Sequence, residues 1–372
     1  MDQQTVITSD ISSSETEYEN MLQVDKHIKY FMGHLNVLPH FYGSQDTNRM
    51  TILYFIVGSL DVLGKLDQVL NDEKKKEIID WIYSMQIVPD QNDSNLERCG
   101  FRGGNFLGLP INCYQCCHEH PLNENQTRYD VGHIAMTYTA LAILRILGDD
   151  YSRVNKKAIV GGLKYLQDKN GCFKATCFGS ETDIRFTFCA CAISSFLEDW
   201  SGVDTELAFQ YILSSRGYDY CFSHGPGLES HGGSTYCAIA ALHLMGMIDR
   251  LDHQEEMKEW LLKRQISGFH GRPQKDADTC YSFWVGGTLK TLDCLQYIDE
   301  SQTTLFTLSC QTDYGGISKV KDAYPDVLHS YMSLAGLSLI GFKGLNRVFP
   351  SLNITERAAA GLKCFESRNC NK

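Results

Sequence analysis

The sequence has no excess of positive charge, because 34 lysines and arginines stand against 45 aspartates and glutamates, a formal net charge of −11. A chain without a basic surplus has little with which to neutralise phosphates, so we expect no general nucleic-acid partner. Long apolar runs are absent too. The most apolar stretches, at 50–60 and 236–248, are shorter than the roughly 20 residues that a membrane span needs. The composition predicts a globular protein without a membrane span.

The chain also lacks a positively charged and then apolar leader, since residues 1–19 are polar and rich in Ser, Thr and Glu. This opening is typical of a flexible tail. The fifteen cysteines are spread over 372 residues, many inside apolar helical patterns such as Cys189, Cys191 and Cys237. They do not form the dense framework of a small secreted protein, so we expect a protein of the reduced cytoplasm.

Alternating runs of β-branched residues are scarce, and a helical repeat takes their place. Five segments share a polar start, then an aromatic residue, then a run of small and apolar residues. Aligned on the aromatic, they are spaced by 50, 48, 47 and 48 residues, at Tyr138, Phe188, Tyr236, Phe283 and Tyr331. A glycine-containing turn precedes each of the last four, and a second helical pattern lies between repeats.

Two helices per repeat of about 48 residues predict an all-α fold. Repeats that cannot bury their faces alone must stack, and they can close into a ring. We therefore predict an α–α toroid (an alpha/alpha barrel) with an extra helix over about residues 19–38. The predicted division is a flexible N-terminal tail at 1–18, a single toroid domain at 19–353 and a C-terminal tail at 354–372.

A column of polar residues is predicted at the amino ends of the five equivalent helices. Five residues before each aromatic stand His133, Asp183, His231, Asp278 and Asp326. Aspartate at such a place is a common N-cap, whereas histidine is not among the preferred caps and is expected to serve a site instead. Helix N-termini that face one mouth also favour bound anions, so the column is expected to form the rim of a cavity.

One part of this rim has the residue types of a metal site. Asp278 and Cys280 stand two residues apart at a helix start, and His329 begins the helix of the next repeat. Three ligands of Asp, Cys and His type leave zinc an open fourth position, which is typical of catalytic zinc. On spacing alone, a buried inert cysteine and a satisfied core histidine remain the competing explanation.

The loop before Asp278 carries Arg272 and Lys275, while His231 and Tyr281 begin helices of the same rim. Two cations, an imidazole and a phenol are suitable donors for a diphosphate and can stabilise it as it leaves. A solvated basic loop is the alternative. Aromatic side chains are expected to line the cavity below, at Phe186, Phe188, Phe283 and Trp284.

A cluster of Cys113, Cys116, Cys117, His118 and His120 looks like a zinc knuckle but lacks a second spaced pair. We do not predict a structural metal there.

The combination ESHGGSTYC, GRPQKDADTCYSFW and PDVLHSY followed by GLSL resembles the β subunits of protein prenyltransferases. The resemblance runs over about residues 25–353 and also includes RCGFRG, GHIAMTYTAL and ILGDD. Within that family the chain is most similar to the type I geranylgeranyl enzymes. It implies an α–α toroid that pairs with a separate helical α subunit and holds one Zn²⁺ per β subunit.

The resemblance also implies roles for residues that match the family's motifs. The zinc ligands and catalytic centre would be Asp278, Cys280 and His329. Contacts to the diphosphate would come from His231, Arg272, Lys275 and Tyr281, with Trp284 in the wall of the isoprenoid tunnel. The residues around the last residue of the peptide would be His133, Ala135, Glu181, Arg185, Phe186 and Leu328.

Two further positions separate the subfamilies. Thr51 matches the place where a bulky Trp in the farnesyl enzymes shortens the tunnel, so a small residue there implies a 20-carbon donor. Lys319, ten residues before His329, matches an Asp that helps to hold magnesium in farnesyltransferases. A fixed cation near a leaving diphosphate can do part of the work of magnesium, so no magnesium requirement is expected. A shift of two residues would give this role to Lys321 instead.

The implied reaction transfers geranylgeranyl from geranylgeranyl diphosphate to the Cys of proteins that end in Cys-a-a-X, with X often Leu, such as small GTPases. A zinc-activated thiolate would attack the isoprenoid, and Arg272, Lys275, His231, Tyr281 and Lys319 would stabilise the leaving diphosphate.

The alternatives are the β subunit of the Rab-type geranylgeranyl enzyme or of farnesyltransferase. A terpenoid cyclase needs a D-x-D-D motif, which Asp276-Ala-Asp278-Thr lacks at its last position. A non-catalytic toroid that only binds a partner would need neither the metal triad nor the diphosphate loop.

Overall fold

A computed structural model describes residues 21–105 and 130–369 of the chain. The predicted tail at 1–18 and the cysteine–histidine cluster at 113–120 lie outside the described residues. In chain order the helices are α1 (Val24–Asn36), α2 (Arg49–Val62), α3 (Leu66–Val69), α4 (Asp72–Ser84), α5 (Ile134–Ile146), α6 (Lys156–Leu166), α7 (Ile184–Leu197), α8 (Thr205–Ser214), α9 (Gly232–Leu244), α10 (Gln254–Leu262), α11 (Tyr281–Thr291), α12 (Glu300–Ser309), α13 (Val327–Leu339), α14 (Glu356–Ala359) and α15 (Lys363–Asn369).

Strands are few and short in the described parts of the chain. They form three antiparallel pairs of two residues each: β1 (Gln86–Ile87) with β2 (Gly100–Phe101), β3 (Ile317–Ser318) with β4 (Pro325–Asp326), and β5 (Val348–Phe349) with β6 (Ile354–Thr355). The helix predicted over about residues 19–38 is observed as α1, which is shorter. The all-α prediction is confirmed.

Six helices form a closed inner ring within the described residues. Each packs against the next in the order α2, α5, α7, α9, α11 and α13, and α13 returns to pack against α2. Outer helices such as α10 are amphipathic, because Met257, Trp260 and Leu261 face inward while glutamates face solvent. The predicted α–α toroid is therefore observed.

The aromatic residues that define the repeat meet inside the ring. In five neighbouring pairs, from Tyr331 through Tyr54 and round to Phe283, the ring centroids lie 5.1–5.9 Å apart. The members are Tyr54, Tyr138, Phe188, Tyr236, Phe283 and Tyr331. Because equivalent positions of successive inner helices touch, these helices run in the same direction and in register.

The first inner helix, α2, belongs to a further repeat that sequence analysis missed. Its Tyr54 occupies the aromatic position, and Thr51, three residues earlier, falls in the same column as Ala135 and Cys280. The signal was present, since a small and apolar run follows Tyr54. The 84 residues that separate Tyr54 from Tyr138 hid it, because the other repeats are spaced by about 48.

A turn between β5 and β6 closes one end of the ring. The Tyr236 hydroxyl donates to the Pro350 carbonyl (2.7 Å), Tyr138 to Leu352 (3.0 Å) and Tyr331 to Asn353 (2.6 Å). Buried phenols need such partners, so the turn both seals the ring and satisfies its polar groups.

The C-terminal tail predicted from residue 354 begins in β6, directly after this turn. Ile354, Ala358, Ala359 and Leu362 are all buried, and Thr355 pairs with Val348. Residues 354–362 therefore pack against the ring, although the limits of the folded domain stay a prediction.

The opposite end of the ring is open. Along the inner helices the partly exposed side chains are confined to the first turn and to the last residues, while the middle turns are buried. The first-turn positions are Thr51, Ala135, Arg185, Gly233, Tyr281, Trp284, Leu328 and His329. The amino ends of the helices thus surround one mouth, as the sequence predicts.

Among the residues that the structure describes, no helix combines the length and the apolar character needed to cross a membrane.

Asp61 on α2 joins the inner ring to residues 354–362, and we expect this contact to stabilise the fold. Its buried carboxylate accepts hydrogen bonds from the Thr355 hydroxyl (2.6 Å) and from Nε of Arg357 (3.0 Å). Asp61→Ala should lower the free energy of unfolding by about 2–3 kcal/mol, because buried donors lose their partner while half-exposed Arg357 can still reach water. Urea unfolding of the purified protein measures this.

The matched control removes an exposed ion pair, Lys263 with Glu259. Glu259→Ala should change the free energy of unfolding by less than about 0.5 kcal/mol. Equal effects of the two substitutions would contradict the role of Asp61.

Candidate active site

The mouth of the ring is lined by residues that cap the inner helices. Asp183 caps α7 by accepting the Arg185 N–H (2.8 Å), and Asp326 caps α13 by accepting the His329 N–H (2.9 Å). Asp278 accepts the N–H of Cys280 at 3.0 Å just before α11. These carboxylates satisfy helix donors and at the same time face the mouth.

The expectation that histidine would not cap these helices is wrong. Nδ1 of His133 accepts the N–H of Ala135 at 3.1 Å, and Nδ1 of His231 accepts the N–H of Gly233 at 3.1 Å. A neutral imidazole nitrogen is an acceptor like a carboxylate oxygen, so it can fill the same place. Both histidines therefore cap their helices through Nδ1 and keep Nε2 for another contact.

Asp278, Cys280 and His329 come together, as the sequence predicts. One ligand atom from each lies within 4.8 Å of the others, and Nε2 of His329 is 3.4 Å from Oδ1 of Asp278. In the described residues this is the single group of three or more such side chains close enough to hold an ion. Tertiary packing thus joins the start of α13 to the start of α11.

Asp326 orients the imidazole of His329, a role that sequence analysis missed. One oxygen of Asp326 caps α13 and the other lies 2.6 Å from Nδ1 of His329. A carboxylate on Nδ1 favours the hydrogen there and leaves the lone pair of Nε2 for a metal. The i, i+3 spacing of Asp326 and His329 at a helix start was the available signal.

The electrostatics of the triad favour a positive charge at its centre. Burial lowers the pKa of His329, but hydrogen bonds to Asp278 and Asp326 outweigh burial and raise it to about 9. Burial likewise raises the pKa of Asp278, but hydrogen bonds with His329 and Cys280 hold it below its ordinary value. Burial and the Asp278 carboxylate raise the pKa of Cys280 well above its ordinary value. A cation placed here would meet one fixed negative charge and would favour the thiolate.

The donor set fits zinc. Zinc takes Cys, His and Asp ligands at about 2.0–2.3 Å, so two ligands of one ion lie less than about 4.6 Å apart. The three ligand atoms are already close to that limit, and the carboxylate behind His329 is the usual partner of a zinc-bound imidazole. With three protein ligands, a fourth position would be left for substrate.

The predicted diphosphate residues lie beside this triad. Nε2 of His231 is 2.8 Å from the Tyr281 hydroxyl, and Nη1 of Arg272 is 2.8 Å from Oε2 of Glu229. Lys275 is exposed on the same loop as Arg272. Nζ of Lys319 is 3.6 Å from Oδ2 of Asp278, so this side chain lies next to the triad.

Most of the predicted peptide residues lie together at the starts of α5 and α7, whereas Leu328 lies on α13, on the other side of α2. The Arg185 guanidinium pairs with Glu181 (3.1 Å) and with Asp183, and its central carbon lies 5.4 Å from the centre of the Phe186 ring. The ring of His133 is 5.9 Å from that of Phe186. Ala135 and Leu328 occupy partly exposed first-turn positions of α5 and α13.

The remaining predicted residues lie at different depths. Thr51 is half-buried in the first turn of α2 and donates to Sδ of Met136 (3.3 Å). Because α2 and α9 are opposite each other in the ring, Thr51 lies across the ring from His231. Trp284 is half-buried against Tyr236 at 5.0 Å. Phe188 and Phe283 are buried in the aromatic ring, and Phe186 is also buried, so of the four predicted wall residues Trp284 is the most open to the mouth.

The chain is similar to known proteins over most of its length. The family described as "Prenyltransferase alpha-alpha toroid domain" matches residues 22–354. The chain is 44% identical over 349 residues to the geranylgeranyl transferase type-1 subunit beta of Dictyostelium discoideum, covering 92% of this chain and 97% of that protein. It is 38% identical over 351 residues to the corresponding Arabidopsis thaliana subunit, covering 91% and 90%.

A solved structure is similar as well. Candida albicans protein geranylgeranyltransferase-I complexed with GGPP superposes with a TM-score of 0.80 at 27% identity, covering 93% of this chain and 98% of that chain.

The contact between Asp326 and His329 predicts how firmly the site holds zinc. Asp326→Asn keeps an oxygen to cap α13 but presents an NH₂ group to Nδ1 of His329, which favours the tautomer with its hydrogen on Nε2. We expect zinc affinity to fall by roughly 10–100-fold, as measured by competition with a chromophoric chelator. Cys280→Ala should lose zinc altogether.

Asp183→Asn is the matched control, because Asp183 caps the equivalent helix without facing a metal ligand. It should retain zinc like the wild type. Undiminished zinc in Cys280→Ala would contradict the metal assignment, and undiminished affinity in Asp326→Asn would contradict the orienting role.

Proposed function

The chain belongs to the prenyltransferase α–α toroid family, among the geranylgeranyl transferase type-1 β subunits, and on that premise we propose that it is the catalytic β subunit of such an enzyme. Its reaction would join the geranylgeranyl group of geranylgeranyl diphosphate to the Cys of proteins ending in Cys-a-a-X. The observation that carries the proposal is the meeting of Asp278, Cys280 and His329 beside Lys319 at the open mouth of the ring.

We assign Zn²⁺, one per β subunit, to Asp278, Cys280 and His329. Bound there, zinc would lower the pKa of a substrate thiol so that it reacts as a thiolate at neutral pH. The chain's own residues prepare the place: Asp326 orients His329, and Asp278 supplies a fixed negative charge. A negative ligand reduces the positive charge felt by the sulfur, which keeps it nucleophilic.

The cations and donors beside the triad would receive the diphosphate. Arg272, Lys275 and Lys319 bring three positive charges to one side of the mouth, and Tyr281 adds a hydroxyl. Charge-assisted donors stabilise an oxygen that gains charge as the bond to carbon breaks. The ion pair of Arg272 with Glu229 would exchange one carboxylate for the more highly charged diphosphate.

The position of Thr51 supports a long isoprenoid. The diphosphate residues begin α9 and α11, while Thr51 begins α2 on the opposite side of the ring. An isoprenoid anchored by its diphosphate would cross the mouth toward Thr51. A small side chain there leaves room for the end of the isoprenoid, and a large one would shorten the space available to it. Trp284, half-buried against Tyr236, would be a wall of that path.

The group between α5 and α7 would receive the peptide end. Arg185, held by Glu181 and Asp183, offers a planar guanidinium next to the half-buried His133 and the ring of Phe186. Ala135 adds apolar first-turn surface on α5, and Leu328 would add more from α13 across the mouth, which suits an apolar last residue such as Leu.

The partners follow from the same premise. We propose a heterodimer with a prenyltransferase α subunit, and Cys-a-a-X proteins such as small GTPases as substrates. A cytoplasmic location is supported by the described cysteines from Cys99 to Cys310, which are free thiols.

A transfer assay tests the function directly. The chain, co-purified with a type-1 α subunit, should transfer geranylgeranyl in preference to farnesyl onto a peptide ending in Cys-a-a-Leu, with zinc and without magnesium. Thr51→Trp should shift the ratio toward farnesyl by at least about tenfold, because a bulky ring shortens the path.

A wild-type preference for farnesyl would overturn the assignment of Thr51 while leaving the fold and zinc chemistry intact. Absence of transfer from a folded, zinc-bearing complex would favour the Rab-type alternative.

Lys319 predicts independence from magnesium. Lys319→Asp replaces the cation beside Asp278 with a carboxylate that can bind an ion, so its activity should fall without magnesium and recover when magnesium is added. Lys321→Asp is the matched control and should remain indifferent to magnesium. A magnesium-indifferent Lys319→Asp enzyme would remove the role of Lys319.

A further inference from the structure

A cavity of about 720 Å³ lies at the closed end of the ring, away from the mouth. The carboxyl ends of α7, α9 and α11 meet there with Ser351 of the turn that closes the ring and with the start of α15. Its volume is within the range of pockets that hold small molecules. Among the described residues that line it, none is assigned above to zinc, diphosphate, isoprenoid or peptide.

Two buried serine hydroxyls line this cavity and have no hydrogen-bond partner within residues 21–105 and 130–369. They belong to Ser195 in the last turn of α7 and to Ser351, which are 5% and 1% exposed. A buried hydroxyl without a partner costs free energy, so most such groups in proteins are paired. Their place beside a cavity indicates a ligand that supplies the missing hydrogen bonds.

The charged side chains that line the cavity are mainly acidic. Glu198 accepts the N–H of Lys363 at 3.1 Å and lies 3.4 Å from its Nζ, so these two charges compensate each other. Asp249 and Asp293 are exposed at the cavity, and neither forms an ion pair with another residue that the structure describes. Two uncompensated carboxylates favour a ligand with positive charge.

The helix ends at the cavity add to this negative potential. The backbone of a helix places partial negative charge at its carboxyl end, where cations are stabilised. Helices α7, α9 and α11 have 14, 13 and 11 residues, and all three end at this cavity. Backbone and side chains therefore favour the same sign of ligand charge.

The lining suits an organic cation better than a metal ion. In the part of the chain that the structure describes, no three acidic, histidine or cysteine side chains at this cavity come close enough together to hold an ion. Trp200, Met245 and Ile248 are partly buried and offer apolar surface against which hydrocarbon can pack. The face of an indole ring also attracts ammonium groups.

We propose that this cavity is a second binding site of the protein, for a small organic diammonium compound. The two ammonium groups pair with Asp249 and Asp293, and the hydrocarbon between them packs against Trp200. The hydroxyls of Ser195 and Ser351 accept further N–H hydrogen bonds from the ligand. This site lies beyond the proposed transferase function and does not depend on it.

Calorimetric titration of the complex that is co-purified for the transfer assay tests the ligand class. Hexamethylenediamine should bind once per chain and raise the Tm, because a ligand that binds only the folded state stabilises it. Hexanediol has the same hydrocarbon without the charges and should not bind, whereas hexylamine should bind roughly tenfold more weakly than the diamine. Absent binding of the diamine, or equal binding of the diol, would overturn the proposal.

A dilysine peptide distinguishes the two sources of this chemistry, because it carries two ammonium groups on a polypeptide. The free diamine should bind more tightly than this peptide. Tighter binding of the peptide would assign the cavity to lysine side chains of a protein partner, and the small-molecule proposal would be wrong.

Charge-removing variants locate the site. Asp249→Asn and Asp293→Asn should each weaken diamine binding by about tenfold, because a charge-assisted hydrogen bond becomes a neutral one. Asp249→Glu keeps the charge and should retain most of the affinity. Asp313→Asn is the matched control, because it removes an exposed carboxylate from the turn between α12 and β3. Wild-type affinity in the double variant of Asp249 and Asp293 would overturn the proposal.

Ser195→Ala separates a ligand contact from a structural role. Since its hydroxyl has no partner among the described residues, its removal should not lower the Tm of the ligand-free protein. It should still weaken diamine binding by about threefold, because the ligand loses an acceptor. A lower Tm with unchanged binding would contradict the role of Ser195 in the site.

Discussion

Closure of the inner ring is the constraint on which the rest of the molecule depends. The last inner helix, α13, packs against the first, α2, where Tyr331 and Tyr54 bring their rings to 5.3 Å. Gly58 makes this approach possible, because a Cβ there would lie 2.7 Å from Cε2 of Tyr331. With the ring closed and its helices in register, one end is sealed by the turn at residues 350–353 and the other gathers six helix amino ends.

This arrangement makes helix capping and chemistry the same task. Each amino end has unpaired N–H groups that need an acceptor, and each acceptor at the mouth is also available to a ligand. Asp326 caps α13 with one oxygen and orients His329 with the other, and His231 caps α9 while its second nitrogen meets Tyr281. In each of these side chains one atom caps the helix, and this bond holds the second atom toward its partner. The rim is therefore ordered before any substrate binds.

Much of the fold could be predicted because it is written in local periodicity. The five spaced aromatics and the small residues after them are contiguous patterns, and so is the polar residue five positions earlier. Tyr54 was not recognised as a repeat position because its repeat is longer than the others. The burial of Phe188 and Phe283 was not predicted, because a row of aromatic residues does not show which of them face the cavity. The capping by His133 and His231 depends on side-chain rotamers that neighbouring helices impose, and these have no signature along the chain.

The sequence by itself determined the helical class, the repeat and the residue types at each helix start, since these follow from spacing within one segment. Only the tertiary structure decided which of those residues meet. His329 reaches Asp278 and Cys280, and Lys319 comes within 3.6 Å of Asp278, because the ring sets α13 beside α11. The contact between His231 and Tyr281 was decided there too, since it joins the start of α9 to the start of α11. These contacts join segments far apart in the sequence, so they form only when the inner helices pack into the closed ring.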